Sequence, residues 1–359
     1  MENTPINPFL ELPHPAADSL SGMPLLPFDE TLLTKKERAI LTEAWDGDAV
    51  IDWESPHFKN GRTLTVAVHS GEPHGDDVGA VALLQTLLRD VEIRWFRSRD
   101  PQRLANADLR IDVGFGLLDH HGPRADKAHG VAAITRVYQL LLNSLGDQYP
   151  RLIWERLAEV VDRLALADVG LIDFSYAPWI NAAVLAQRSA AGWSCGGDGS
   201  DPTEDALFGR LVERMRDYME DVFRGAVAAH NATEIAMKDI EASGSDVVVF
   251  SAESRLAPCK EILWRMDHTA WYYVSQTGKD HWVVNCTCDP KKPFSQKGSW
   301  HLFPRKYRGM NEVQLKKLIG CPEGTDVFVH ADGFVAGFPT RDAAVKFAQL
   351  CCKEGGWGS

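Results

Sequence analysis

The chain has no surplus of positive charge. Its 38 Lys and Arg stand against 50 Asp and Glu, for a net charge of -12 over 359 residues. That balance argues against a general polyanion-coating protein, because nonspecific nucleic-acid binding relies on a positive field. It leaves room for a phosphate substrate held through metal ions, since bound cations become the largest local charges in such a site. Nor is there a disulfide framework: the seven cysteines are odd in number and scattered. Cys286-Thr287-Cys288 and Cys351-Cys352 lack the paired spacing of a structural zinc site, so that reading is rejected. No run of about eighteen apolar residues occurs, and residues 1–26 hold no basic segment followed by an apolar one. The expectation is a reduced, soluble, cytoplasmic protein without a membrane partner.

What is present is an ordinary globular composition, 45% hydrophobic and 25% charged, long enough for two domains with their own cores. Six prolines, at 5, 8, 13, 15, 24 and 27, keep the start irregular. Residues 1–60 therefore read as an accessory arm, with one helix expected over 34–41. From 63 to 167 strand and helix patterns alternate, as in a parallel sheet with crossover helices. Strands are expected over 64–68, 91–96 and 109–114, and helices over 78–88, 130–145 and 153–167. Residues 205–243 are strongly helical, with Leu207, Leu211, Met215, Met219 and Phe223 on one stripe that reads as core. Beyond 245, expected strands at 246–251, 264–274, 281–287 and 326–330 and helices at 311–318 and 340–351 describe a second, smaller α+β domain. The division expected is 1–60, 61–243 and 244–359.

The chemistry concentrates where the first strand meets its helix. Val66-Ala-Val-His-Ser-Gly-Glu-Pro-His-Gly-Asp-Asp77 puts His69, His74, Asp76 and Asp77 on one turn at a strand end, where α/β proteins place their sites. A plainer reading makes Asp76 or Asp77 a helix N-cap and leaves the histidines solvated. The motif is not isolated, however. Asp112 ends the third strand, and Asp119-His120-His121 follows after a return that Gly114-Phe115-Gly116 makes possible. Asp168 stands just past the helix expected over 153–167, where it could also be a simple turn residue. Carboxylate oxygen and imidazole nitrogen without thiolate suit manganese, magnesium or similar ions. One bridging carboxylate, for which Asp112 is the candidate, can hold two ions about 3.5 to 4 Å apart, where they activate water and stabilise a leaving phosphoryl oxygen. In the second domain, residues 290–308 carry six Lys or Arg and no acid, interleaved with Phe294, Trp300 and Phe303. Such a stretch can hold phosphates and stack bases, or be a solvated loop.

His69-x-Gly-x-x-His74-x-Asp76, the strand ending in Asp112, Asp119-His120-His121 and Asp168-x-Gly170, in that order, resemble the DHH phosphoesterase superfamily. With His74 in the first motif, the chain resembles its melanocyte proliferating gene branch, metal-dependent 3′-5′ RNA exonucleases. Arg97-Ser98-Arg99-Asp100-Pro101 and the stretch from Phe328 to Gly337 extend the match, which covers about residues 63 to 350. The chain departs from the branch in having Asp77 for Glu, a shorter connection from Asp112 to Asp119, and no Asn after Asp168.

The resemblance implies a parallel-sheet DHH-type catalytic domain and two divalent ions, Mn²⁺ before Mg²⁺ or Co²⁺. His69, His74 and Asp112 would hold one, and Asp76, Asp112, His120 and Asp168 the other. His121 would touch the scissile phosphate, and Asp119 would orient the neighbouring imidazoles. His330, Gly333 and Gly337 would help close the substrate in, with Arg99, Lys297 and Arg305 as further phosphate contacts. The implied activity is a two-metal phosphodiesterase trimming RNA or short oligonucleotides from the 3′ end. The alternatives are a phosphohydrolase of a small compound, such as a dinucleotide or pyrophosphate, and a noncatalytic nucleotide- or RNA-binding regulator.

Overall fold

A computed structural model describes residues 26–58, 62–71, 73–121, 130–171, 202–287 and 301–355. The chain divides into two compact units, one within 10–226 and the other carrying 227–359.

In the first unit, β1 (Leu41–Glu43) and β2 (Ala49–Ile51) form an antiparallel hairpin. The parallel sheet follows: β3 (Thr63–Val68), β4 (Glu92–Arg97) and β5 (Leu109–Ile111), in the order β4-β3-β5. Parallel neighbours need a crossover, and α1 (Gly75–Leu87) supplies it between β3 and β4. A short α2 (Pro101–Leu104) starts on an Asp100 cap. α3 (Ala133–Leu145) and α4 (Arg151–Asp168) pack against α1. Gly79 allows that approach. A Cβ there would meet Ile134 Cδ1 at 2.6 Å and Leu164 Cδ1 at 2.8 Å, closer than packed carbons come.

The helix expected over 34–41 is a single 3₁₀ turn, Glu37–Ala39. Its start signal is sound, because Thr34 and Glu37 cap each other's backbone amides, at 2.8 and 3.1 Å. Leu41 then joins the hairpin, and strand pairing overrides helix continuation. Glu37 is instead buried in a bidentate pair with Arg110, at 3.1 and 2.8 Å, which ties the residues before the hairpin to β5.

α5 (Pro202–Glu241) contains the 226/227 division in its sequence, and its expected stripe is buried. The second unit has a five-stranded sheet in the order β6-β7-β8-β10-β9, from β6 (Val247–Val249), β7 (Tyr272–Gly278), β8 (His281–Cys286), β9 (Phe328–Val329) and β10 (Val335–Phe338). Only β6 and β7 run parallel. The strand expected over 264–274 is wrong in its first part. α6 (Cys259–Arg265) lies there, because Cys259, Ile262 and Leu263 fall at helical spacing on a buried cluster with Ala236, Ile240 and Phe250. α7 (Glu312–Ile319) and α8 (Arg341–Lys353), capped by Asn311 and Thr340, complete the unit. Among the described residues no helix is long and apolar enough to cross a membrane.

Candidate metal centre

Three backbone elements bring the histidines and carboxylates together. His69 leaves the buried end of β3, and the next turn ends at His74, the N-cap of α1, whose N–H donates to Asp77 Oδ2 at 3.4 Å. Asp112 follows β5 in the left-handed region, at φ +54°, a conformation that costs a non-glycine residue about 1–3 kcal/mol and recurs at functional sites. Its N–H donates to Leu118 O at 3.3 Å, so the chain doubles back and sets Asp119-His120-His121 beside it. Asp168 is the last residue of α4, one position inside the helix rather than just past it.

Asp112 is the meeting point. Its Oδ1 lies 2.8 Å from His120 Nδ1 and 2.9 Å from His121 Nδ1, and its Oδ2 lies 3.4 Å from His69 Nε2. His69 Nε2 is also 2.7 Å from Asp77 Oδ2. On the far side of His120, Nε2 stands 3.5 Å from Asp168 Oδ2, and Asp168 Oδ1 stands 3.8 Å from His74 Nδ1. Ligating atoms within 4.8 Å of one another form three groups: His69, His74, Asp77 and Asp112; Asp112, His120 and His121; and His74, Asp76 and Asp168.

Every metal-ligand candidate named from sequence falls in one of these groups. Two further residues join them. Asp77 stands with His69, His74 and Asp112, although of the two adjacent carboxylates the resemblance implied only Asp76 as a ligand. His121, expected to face substrate alone, stands with Asp112 and His120. The doubled Asp76-Asp77 was the available signal for the first. The doubled His120-His121 was the signal for the second, since either imidazole could have been the one to face a cation.

The donor set fits divalent cations. His69, Asp76, Asp77, Asp112, Asp119 and His120 are all under 5% exposed. Both Asp112 oxygens, Asp77 Oδ1, His69 Nε2 and His120 Nδ1 are buried without a hydrogen bond. Their close approaches lack hydrogen-bond alignment, and a buried polar atom without a partner is costly. A cation would supply what is missing, and oxygen and nitrogen donors without sulfur are those that hard and borderline ions take. The titration shifts report the same crowding. Burial pushes the Asp76 carboxyl well above its ordinary range, with the charges of Asp77, Asp168 and Asp112 adding to it, against the opposing pull of the Ala133 N–H at 3.2 Å. Burial by itself lowers His69, but Asp77, Ser70 O and Asp112 outweigh it and raise the imidazole to about 9.

Two side chains brace the site from outside. Arg97 at the end of β4 is fully buried and donates to His69 O, at 3.2 Å, and to Gly71 O, so it fixes the turn that carries His69. Asp119 accepts the Phe115 N–H at 2.7 Å and the His121 N–H at 2.8 Å. A cavity of about 590 Å³ opens over the cluster, lined by His69, His74, Asp112, His121, Arg99 and Phe115 among others. The Arg99 Nε donates to Ser70 O at 3.1 Å.

The remaining expected contacts lie in the second unit. His330 is at the end of β9 and half exposed, with its ring 4.4 Å from that of Phe334. Gly333 turns at φ +74° against the Arg308 side chain, and a Cβ at Gly337 would strike the Phe328 ring. Arg305 is exposed on a 3₁₀ turn. Phe303 is no stacking platform: it is wholly buried in the core of this unit, against Tyr272 and Phe347. Lys297, Phe294 and Trp300 lie outside the described residues.

Proteins named MYG1 exonuclease are similar to this chain: that of Mus musculus is 25% identical and that of Rattus norvegicus 26%, each match covering 79% of this chain and 83% of the relative. The MYG1 protein C27H6.8 of Caenorhabditis elegans is 24% identical, over 82% of this chain and 96% of its own length. The crystal structure of an uncharacterized protein from Helicobacter pylori G27 aligns over 78% of this chain and 94% of its own, but with a TM-score of 0.18 and 8% identity it carries no argument. The pattern of the uncharacterised protein family UPF0160 (MYG1_exonuc) matches residues 65–129 and 177–351. Because that match runs from the strand before His69 through Asp119-His120-His121 and on to the last helix of the second unit, the chain belongs to this family.

Proposed function

We propose that this protein is a two-metal-dependent phosphodiesterase that removes nucleotides from the 3′ end of RNA or short oligonucleotides. The observation that carries the reading is Asp112, a buried carboxylate with both oxygens unpaired, each facing a different imidazole group. The names of the relatives, MYG1 exonuclease, support the reaction class. Two divalent ions, Mn²⁺ first and Mg²⁺ or Co²⁺ as substitutes, would supply an activated water and neutralise charge developing on the phosphoryl group.

The chain's own residues do the rest. His69, His74 and Asp112, with Asp77, would hold one cation; Asp76, Asp112, His120 and Asp168 would hold the other. Asp119 fixes the His121 backbone and ring, so that the half-exposed imidazole donates an N–H to a phosphoryl oxygen. Arg99, on the cavity wall, neutralises a second phosphate. In the second unit, Lys297, Arg305, His330, Gly333 and Gly337 are the residues proposed to bind substrate. In functional terms the chain divides into an accessory arm over 1–60, a DHH-type catalytic domain over 61–243 and a substrate-binding domain over 244–359, acting in the cytoplasm.

The test is manganese-dependent degradation of a 5′-labelled single-stranded RNA, beside DNA of the same sequence and an Asp112→Asn control. Removing a ligand shared by both cations should cost more than the roughly 10- to 100-fold of a supporting-residue change. A ladder shortening from the 3′ end, absent in the control, is expected. Intact polymers with turnover of dinucleotides or pyrophosphate would replace the substrate class. Tight oligonucleotide binding without cleavage across several divalent metals would make the protein a regulator.

A further inference from the structure

The six-residue connection between Asp112 and Asp119 carries a residue that the reaction as described does not use. Phe115 is 66% exposed and sits at φ +52°. An exposed benzyl group in a left-handed backbone between two glycines is unfavourable on both counts, and such a conformation persists only where its surroundings over-determine it. Here they do. The Phe115 N–H is held by Asp119 Oδ2 at 2.7 Å, through the carboxylate that also holds the His121 N–H. Below the loop, Arg110 Nη1 donates to Gly114 O at 3.2 Å, and the guanidinium packs so close to Gly116 that a Cβ there would lie 3.0 Å from Nη2. Arg110 is itself fixed by Glu37 and by Leu32 O. The ring is thus presented by a rigid backbone, on the wall of the cavity that contains His69, His74, Asp112, His121 and Arg99.

The geometry points to Phe115 as a stacking platform for a nucleobase of the substrate, next to the phosphate engaged by His121 and Arg99. A flat apolar face beside a phosphate-binding cluster matches a nucleotide, whose base has a π face and whose phosphate is anionic. Base–aromatic stacking is tolerant of sequence, because every base offers that face. The inference rests on the phosphodiesterase reading and assigns its substrate class: a nucleoside-bearing phosphodiester, recognised through the base without choice among the four.

Two oligonucleotides test it in the full-length, manganese-loaded protein, one intact and one with abasic residues at its last two 3′ positions. Phe115→Ala should raise KM for the intact strand by about 5- to 140-fold, the scale of one lost stack, with kcat little changed. The abasic strand should be handled equally by both proteins, and Phe115→Trp should restore the intact one. Equal losses on both strands would show a structural role and overturn the proposal. Phe115→Leu, which keeps the apolar bulk, stands in if the alanine variant fails to fold. Independently of hydrolysis, 2-aminopurine placed at the 3′ end and bound with calcium replacing manganese should be quenched by the wild type and not by Phe115→Leu. Quenching without cleavage would sink the exonuclease reading and keep this one; cleavage without quenching would do the reverse.

Discussion

The two units of this chain use burial in opposite ways. In the second, the interior is nearly all apolar: Tyr272, Phe303, Phe338 and Phe347 are wholly buried, and Tyr307 nearly so, between one sheet and α8. In the first, an equally tight apolar frame of β3, β5 and α1 surrounds an island of two histidines and four aspartates, each under 5% exposed. Burying carboxylates together is unfavourable without a counter-charge. Cations held by these groups would therefore stabilise the first unit and leave the second unchanged. If the proposed cations bind there, stability of the first would depend on metal, and that of the second would not.

The strongest way to break this contrast is to cut into the apolar core of the second unit. Phe347 has ring centroids 5.2, 5.7 and 5.1 Å from Phe303, Tyr307 and Phe338. Phe347→Ala should destabilise the second unit by about 3–5 kcal/mol. Hydrogen exchange should then accelerate across 272–286 and 335–353, while calorimetric Mn²⁺ binding survives. Loss of metal binding in that variant would mean that the units are not independent in stability.

The next effect is that of the metal. At a concentration about a hundredfold above Kd, Mn²⁺ should stabilise the first unit by roughly 2.7 kcal/mol, raising its Tm by about 5–10 °C, with EDTA reversing the shift. Exchange should slow over 66–78 and 109–121 and stay unchanged over 335–353. Uniform protection of both units would refute the contrast.

A smaller change sharpens it by loosening the frame and leaving the ligands in place. Gly79→Ala gains about 1 kcal/mol of helix propensity. The added methyl, however, would press into Ile134 and Leu164, and overpacking of this kind costs about 1–3 kcal/mol. A lower Tm with metal stoichiometry intact is expected; a higher Tm would show that α3 and α4 yield without cost.

Much of the first unit was legible because its signals are local. A β-branched run stops at His69 and an apolar run begins after Asp77, so the strand, the turn and the helix declare themselves within twenty-odd residues. The same holds for the strand before Asp112 and for the Asn311 and Thr340 caps. Local signals mislead where a distant partner decides the outcome. Thr34 and Glu37 signal a helix start, yet Leu41–Glu43 pairs with Ala49–Ile51 and ends it. Trp264 opens a run with strand character, but Cys259, Ile262 and Leu263 turn its start into a helix by packing on α5 residues Ala236 and Ile240. β10, with Gly337 inside it, has too little β-branched character to be read as a strand without β8 and β9 beside it.

The sequence by itself determined which residue types could form a metal centre and at which strand and helix ends they would stand, because motif order and strand periodicity are properties of the chain. Only the tertiary structure decided that Asp77 and His121 stand within reach of the candidate ligands, that Asp112 adopts φ +54° with both oxygens unpaired, and that Phe115 stands out on the cavity wall. Those facts depend on the side-by-side pairing of β3 and β5 and on the doubling back at Leu118. Distances between atoms tens of residues apart are fixed by packing, and no local pattern encodes them.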